Sequence, residues 1–80
     1  MRLGYDSEKK NGKKYYFITL NNRGFRDDEV SSLFKITLDE YVEILTATGG
    51  YKEDGRGYIF NDVEDVENAI VTLKILLEEP

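Results

Sequence analysis

The chain shows two stretches of alternating apolar and polar positions, each followed by a stretch with helical spacing. In LGYDSEKKNGKKYYFITL, residues 3–20, two alternating runs flank Asn11-Gly12. Asn-Gly between extended segments is the strongest short-range hairpin signal, because both residues tolerate the positive φ of a type I′ turn. Strands at Leu3–Ser7 and Tyr15–Leu20 then pair Ser7 with Tyr16, Tyr5 with Ile18 and Leu3 with Leu20. Side chains alternate with period two, so these six share one mostly apolar face. The opposite face carries Glu8 with Tyr15, Asp6 with Phe17 and Gly4 with Thr19. The same register sets Lys10 against Lys13 and Lys9 against Lys14, and like charges facing across strands are destabilising. A longer, looser tip would relieve that repulsion and keep the pairing.

The stretch NNRGFRDDEVSS, residues 21–32, is polar and has no clear period, so its first part reads as a loop. Ser32–Ile36 is expected as a third strand. TLDE at 37–40 has the spacing of a capping box, in which Thr37 and Glu40 satisfy each other's backbone N–H groups. Leu38, Tyr41, Val42 and Leu45 continue at i, i+3, i+4, i+7, which predicts an amphipathic helix that Gly49-Gly50 ends. In YKEDGRGYIF, residues 51–60, a turn at Asp54-Gly55 would place Glu53 opposite Arg56 and Tyr51 opposite Tyr58. Asn61 or Asp62 then caps a last helix over residues 63–78, with Val63, Val66, Ile70, Leu73 and Leu77 as its core stripe. The elements define an α+β domain over residues 1–80. A small antiparallel sheet of three to five short strands carries two helices packed on one face, in the order β-β-(β)-α-β-β-α. Several superfamilies share this outline, and outline alone carries no function.

Composition narrows the chemistry. Eighty residues make one small domain with a thin stability margin. Cysteine and histidine are both absent, which removes the usual nucleophile, the usual general base and most transition-metal sites. Ser7, Ser31 and Ser32 are the only serines, and none lies in a nucleophile elbow. The glycines match no phosphate loop. Placing Gly57 at the invariant glycine of an EF-hand puts Lys52 first and Val63 last, where carboxylates are required. Asp27-Asp28-Glu29 would hold a hard cation only weakly. The expectation is a non-catalytic chain with no cofactor and no metal. The N-terminus lacks the apolar run of a signal peptide, and no window resembles a membrane span, so a cytoplasmic location with no membrane contact is expected.

Charge is segregated. Residues 1–26 carry seven basic and two acidic residues, and residues 27–80 carry four basic and fourteen acidic ones. Such asymmetry points to an interaction face. The first candidate is the basic N-terminal region: Lys9, Lys10, Lys13 and Lys14 beside Tyr15 and Phe17, with Arg23 and Arg26. Aromatics on a sheet beside lysines suit a partner protein or an anionic ligand, single-stranded nucleic acid included. Lysine on a hairpin also guards against strand-to-strand aggregation, which needs no ligand. The second candidate is the stripe of Val71 and Ile75, opposite the core side of the last helix, suited to self-association or a partner. The third is the acidic surface, whose carboxylates could imitate a phosphate backbone, although half of them sit where helix caps favour negative charge.

The leading expectation is a protein–protein interaction module, a small regulator or inhibitor of the kind phages and mobile elements encode, that occupies a partner's surface. The alternatives are a nucleic-acid-associated domain using the basic hairpin, and a structural subunit of a larger assembly. A homodimer follows if the lysine tip meets the acidic half of a second copy.

Overall fold

Asn11 and Gly12 take positive φ values of 53° and 76°, and the chain reverses there within two residues. In a computed structural model that describes residues 2–53 and 57–78, strands β1 (Leu3–Lys10) and β2 (Lys13–Leu20) run right up to this turn. Their register pairs Leu3 with Leu20, Tyr5 with Ile18 and Ser7 with Tyr16, as the Asn-Gly position requires. The tip is tight, contrary to the looser turn expected, and Lys10 faces Lys13. The repulsion is eased sideways. Lys10 Nζ lies 4.0 Å from the Glu53 carboxylate, and Lys14 Nζ lies 5.6 Å from the Tyr16 ring centre.

After β2 the chain reverses again at Asn21-Asn22, both at positive φ, and Leu20 and Arg23 exchange backbone hydrogen bonds of 2.7 and 3.1 Å. The third strand expected at Ser32–Ile36 does not form. A 3₁₀ turn at Asp27–Glu29 leads into a short helix, α1 (Val30–Phe34). The reason lies in the spacing: Val30 and Phe34 are four apart, and one helical turn buries both in the core. Lys35, left-handed at φ 60°, stops the helix and donates its N–H to the Ser31 carbonyl.

Helix α2 (Leu38–Ala47) starts with the predicted box. Thr37 Oγ1 accepts from the Glu40 N–H at 3.1 Å, and the Glu40 carboxylate accepts from the Thr37 N–H at 3.1 Å. It ends in a Schellman motif: the Gly50 N–H reaches the Leu45 carbonyl at 2.8 Å and the Gly49 N–H reaches that of Thr46 at 3.2 Å, with Gly49 at φ 105°.

The second hairpin joins β3 (Tyr51–Glu53) to β4 (Gly57–Ile59). Its register differs by one residue from the expected one, with Tyr51 opposite Ile59 and Glu53 opposite Gly57. Three residues connect the strands where two were expected, so Tyr51 does not face Tyr58. The Asp54-Gly55 turn and Arg56 lie outside the described residues. Helix α3 (Val63–Glu78) follows, and the Asp62 carbonyl accepts its first bond, from Val66 at 3.3 Å. Asn61 is engaged elsewhere, its Oδ1 accepting from the Tyr51 hydroxyl at 2.8 Å.

The fold is therefore a small α+β arrangement of two antiparallel hairpins and three helices, in the order β-β-α-α-β-β-α. One hydrophobic cluster ties it together: Leu3, Ile18 and Leu20 from the first hairpin, Val30 and Phe34 from α1, Tyr41 and Leu45 from α2, Phe60, and Val66, Ala69, Ile70 and Leu73 from α3. Val63, expected in the α3 stripe, is exposed, and Ala69 fills a place in it. Among the described residues no helix is long and apolar enough to cross a membrane.

Candidate functional site

Three surfaces carry chemistry. The first is the lysine tip. Lys9, Lys10, Lys13 and Lys14 are all exposed around the turn. The other members of the basic constellation are not with them. Arg23 pairs with Glu29 at 3.7 Å, and Arg26 pairs with Asp28 at 3.4 Å and Glu29 at 3.8 Å. These two arginines are balanced locally by the acidic triplet that follows them. The triplet itself is spoken for by cations of the chain, since Asp27 also meets Lys52 Nζ at 3.7 Å. Among the described residues no group of three or more acidic side chains is gathered tightly enough to hold a metal ion.

The aromatic half of that constellation is turned inward. Tyr15 is only 6% exposed and Phe17 is half-buried. Tyr15 shares a gap with Tyr51, Ile59 and Asn61 of the second hairpin, and its hydroxyl donates to the Glu8 carboxylate. At this exposure the ring offers a base no open face to stack on.

The second surface is the outer side of α3. Val71 and Ile75 are 56% and 55% exposed, one helical turn apart. Close by in sequence, Glu67 accepts a 3.2 Å hydrogen bond from the Tyr5 hydroxyl, which ties the start of this face to β1.

The third surface was not foreseen. A cleft of about 310 Å³ opens between the two hairpins and the front of α2. Phe17, Phe25, Tyr41 and Tyr58 contribute rings to it, and Ile18, Leu45 and Ile59 contribute aliphatic walls. Tyr15, Gly24, Gly57 and two carboxylates, Glu8 and Asp27, complete the lining. Phe25 holds its place through Phe34 and Tyr41, at ring-centre distances of 5.4 and 6.1 Å, and Tyr41 stacks on Phe34 at 5.5 Å. Burial, with Asp27 and Tyr58 nearby, pushes the Tyr41 phenol well above its ordinary range and keeps it neutral. Its hydroxyl has no hydrogen-bond partner among the described residues, and it is not sealed from solvent, since no fully buried side-chain polar atom there lacks a partner.

Backbone geometry explains the opening. In an antiparallel ladder, alternate residues point their N–H and C=O groups to the same edge. Tyr16, Ile18 and Leu20 therefore share the edge of β2 away from β1. Tyr16 exchanges two 2.8 Å bonds with Phe60, and Leu20 is bonded to Arg23. Ile18, between them, has no backbone partner on that edge among the described residues, and it lines the cleft.

Sequence reading did not find the cleft because its rings and carboxylates come from five separated segments. One signal was present: Phe25 is the only aromatic in the polar run 21–32. No protein-family model matches the chain, and no curated protein or solved structure matches it.

Proposed function

We propose that this chain works by contact, as a small protein-interaction module of the regulator or inhibitor kind, and that its docking face is the outer side of α3. The observation that carries this reading is the pair Val71 and Ile75, adjacent on the helix and both more than half exposed. The opposite side of the same helix already buries Val66, Ala69, Ile70 and Leu73, so this second apolar side adds nothing to the core. A helix that is apolar on two sides is commonly buried on two sides. The exposed lysine tip would set orientation and speed of association, as rim charges do.

The test compares the parent chain with V71E/I75E, immobilised side by side in extract from the native host. The double variant is expected to fold normally by circular dichroism and to lose a partner that the parent retains. A drop of tenfold or more in affinity corresponds to about 1.4 kcal/mol. Sedimentation of the parent at two salt concentrations shows whether that partner is a second copy. Identical retention by parent and variant sinks the reading. Retention of nucleic acid that falls steeply with salt would favour the lysine tip instead.

A further inference from the structure

The cleft is independent of the α3 face, and its lining defines a ligand class. We infer that the cleft between the hairpins is a binding site for an organic cation of the guanidinium or alkylammonium class. Rings and carboxylates in one cleft attract such a group twice, through the ring quadrupoles and through direct charge. Phe25, Tyr41 and Tyr58 supply the rings and Asp27 the charge, while Glu8, also in the lining, is already engaged by the Tyr15 hydroxyl. The Tyr41 hydroxyl and the outward carbonyl of Ile18 are acceptors without a partner among the described residues, and N–H donors would satisfy both.

Other ligand classes fit less well. An anion meets two carboxylates. A neutral apolar ligand desolvates the Asp27 carboxylate and the Tyr41 hydroxyl without pairing them, which is unfavourable. The volume, about 310 Å³, lies at the small end of ligand sites and suits a group of side-chain size. The chain itself brings a cation to the rim: Lys52 Nζ sits 3.7 Å from Asp27, with its side chain 61% exposed. An exposed pair of this kind is weak, so an incoming guanidinium competes with it at little cost.

The cation could be a free amine or the arginine side chain of a partner, and the experiment separates the two. The full chain, labelled for aromatic and amide NMR, is titrated with agmatine, with acetyl-Ala-Arg-Ala-amide, and with the same peptide carrying citrulline, a neutral isostere of arginine. Saturable shifts are expected at Phe25, Tyr41 and Tyr58 with both cationic compounds, and binding of the citrulline peptide should be at least tenfold weaker. Tighter binding of the peptide assigns the site to a partner's arginine; tighter binding of agmatine assigns it to a free amine. Asp27→Asn should weaken binding severalfold, and Lys52→Gln, which frees Asp27, should tighten it. Tyr41→Phe removes one hydroxyl with little risk to folding and should also weaken it. V71E/I75E should leave it unchanged, so this site and the α3 face fail separately. Equal affinity for arginine and citrulline, no saturation, or a well-dispersed K52Q variant that binds no tighter overturns the assignment.

Discussion

Gly50 lies against a buried ring with no room for a side chain, and Gly50→Ala is the sharpest test of how α2 is seated. The glycine needs no left-handed φ here; what it provides is space. A Cβ at this position would lie 2.8 and 2.9 Å from the Phe60 ring and 3.0 Å from the Leu45 carbonyl oxygen. Phe60 cannot easily give way. It is fully buried, and its backbone is bonded in both directions to Tyr16 at 2.8 Å. Nor can the Leu45 carbonyl, which already accepts the Gly50 N–H in the helix-ending motif. Inserting a methyl into such a site costs about 1–3 kcal/mol. Gly→Ala returns roughly 0.4–1 kcal/mol by stiffening the unfolded chain. The net expectation is a loss of about 1–2 kcal/mol, a fall in Tm of roughly 5–15 °C for a domain of this size. Urea unfolding followed by far-UV circular dichroism measures it, with the midpoint moving and the slope unchanged. Phe60→Leu provides the control. Alone it should be mildly destabilising, and in its presence Gly50→Ala should cost clearly less, since the opposing ring edge is gone and only the Leu45 carbonyl contact remains. A Gly50→Ala chain with the parental midpoint, or one equally destabilised in both backgrounds, would refute the packing argument.

Four further changes probe a charge pair, the α2 cap and a buried phenol. Lys13→Glu turns the facing Lys10–Lys13 pair into an attractive one; it should stabilise the chain by about 0.2–1 kcal/mol in thermal melts at low salt, and less at high salt. Thr37→Ala removes the α2 cap and should lower stability by about 0.5–2 kcal/mol. The Thr37 N–H and hydroxyl hold the Glu40 carboxyl below its ordinary value, so its contribution is present above the unfolded pKa and lost as pH falls through the lower folded one; Glu40→Gln should flatten that part of the acid melt. Tyr41 has the opposite sign. Its folded pKa is raised, so its contribution is complete below the unfolded value near 10 and fades as pH climbs towards the folded one, a loss that Tyr41→Phe should abolish in alkaline melts.

What the sequence discloses here depends on how local each determinant is. Asn11-Gly12 pins the first hairpin by itself, because a two-residue turn leaves one register free of strain, and the observed pairing follows from it. Thr37 and Glu40 likewise mark α2 from four residues alone. The exposed pair Val71 and Ile75 is visible from 100° spacing, given the core stripe opposite. The misreadings arise where a neighbour outside the window decides. SLFKI, residues 32–36, is short and apolar enough to read as a strand, but the next apolar residue back, Val30, pairs with Phe34 at helical spacing, and the core takes both. The second hairpin shifts by one residue because its connection is longer than the Asp-Gly pair implies. Alternation correctly places Tyr15 and Phe17 on one face, yet it is silent about Tyr15 being buried in the folded chain. A charge count shows seven basic residues near the N-terminus but not that Arg23 and Arg26 are matched by Asp28 and Glu29.

The cleft and the incomplete ladder are one structural fact. The Tyr16–Phe60 bridge is antiparallel, so the next step of the same ladder would pair Ile18 with Tyr58. That step is not made, and both residues line the opening. Gly57, directly before Tyr58, sits at φ 77°, far from the extended backbone that a longer β4 would need. On the other side, the Asn21-Asn22 turn sends the chain out through Arg23 to Phe25 and Asp27, which wall the gap without closing it. Had β4 zipped onto β2, Phe25 and Tyr41 would face a continuous sheet with no space for a ligand. Among the described residues a single backbone bridge joins the two hairpins, and the opening at this end of the molecule comes from the pairing that is not made.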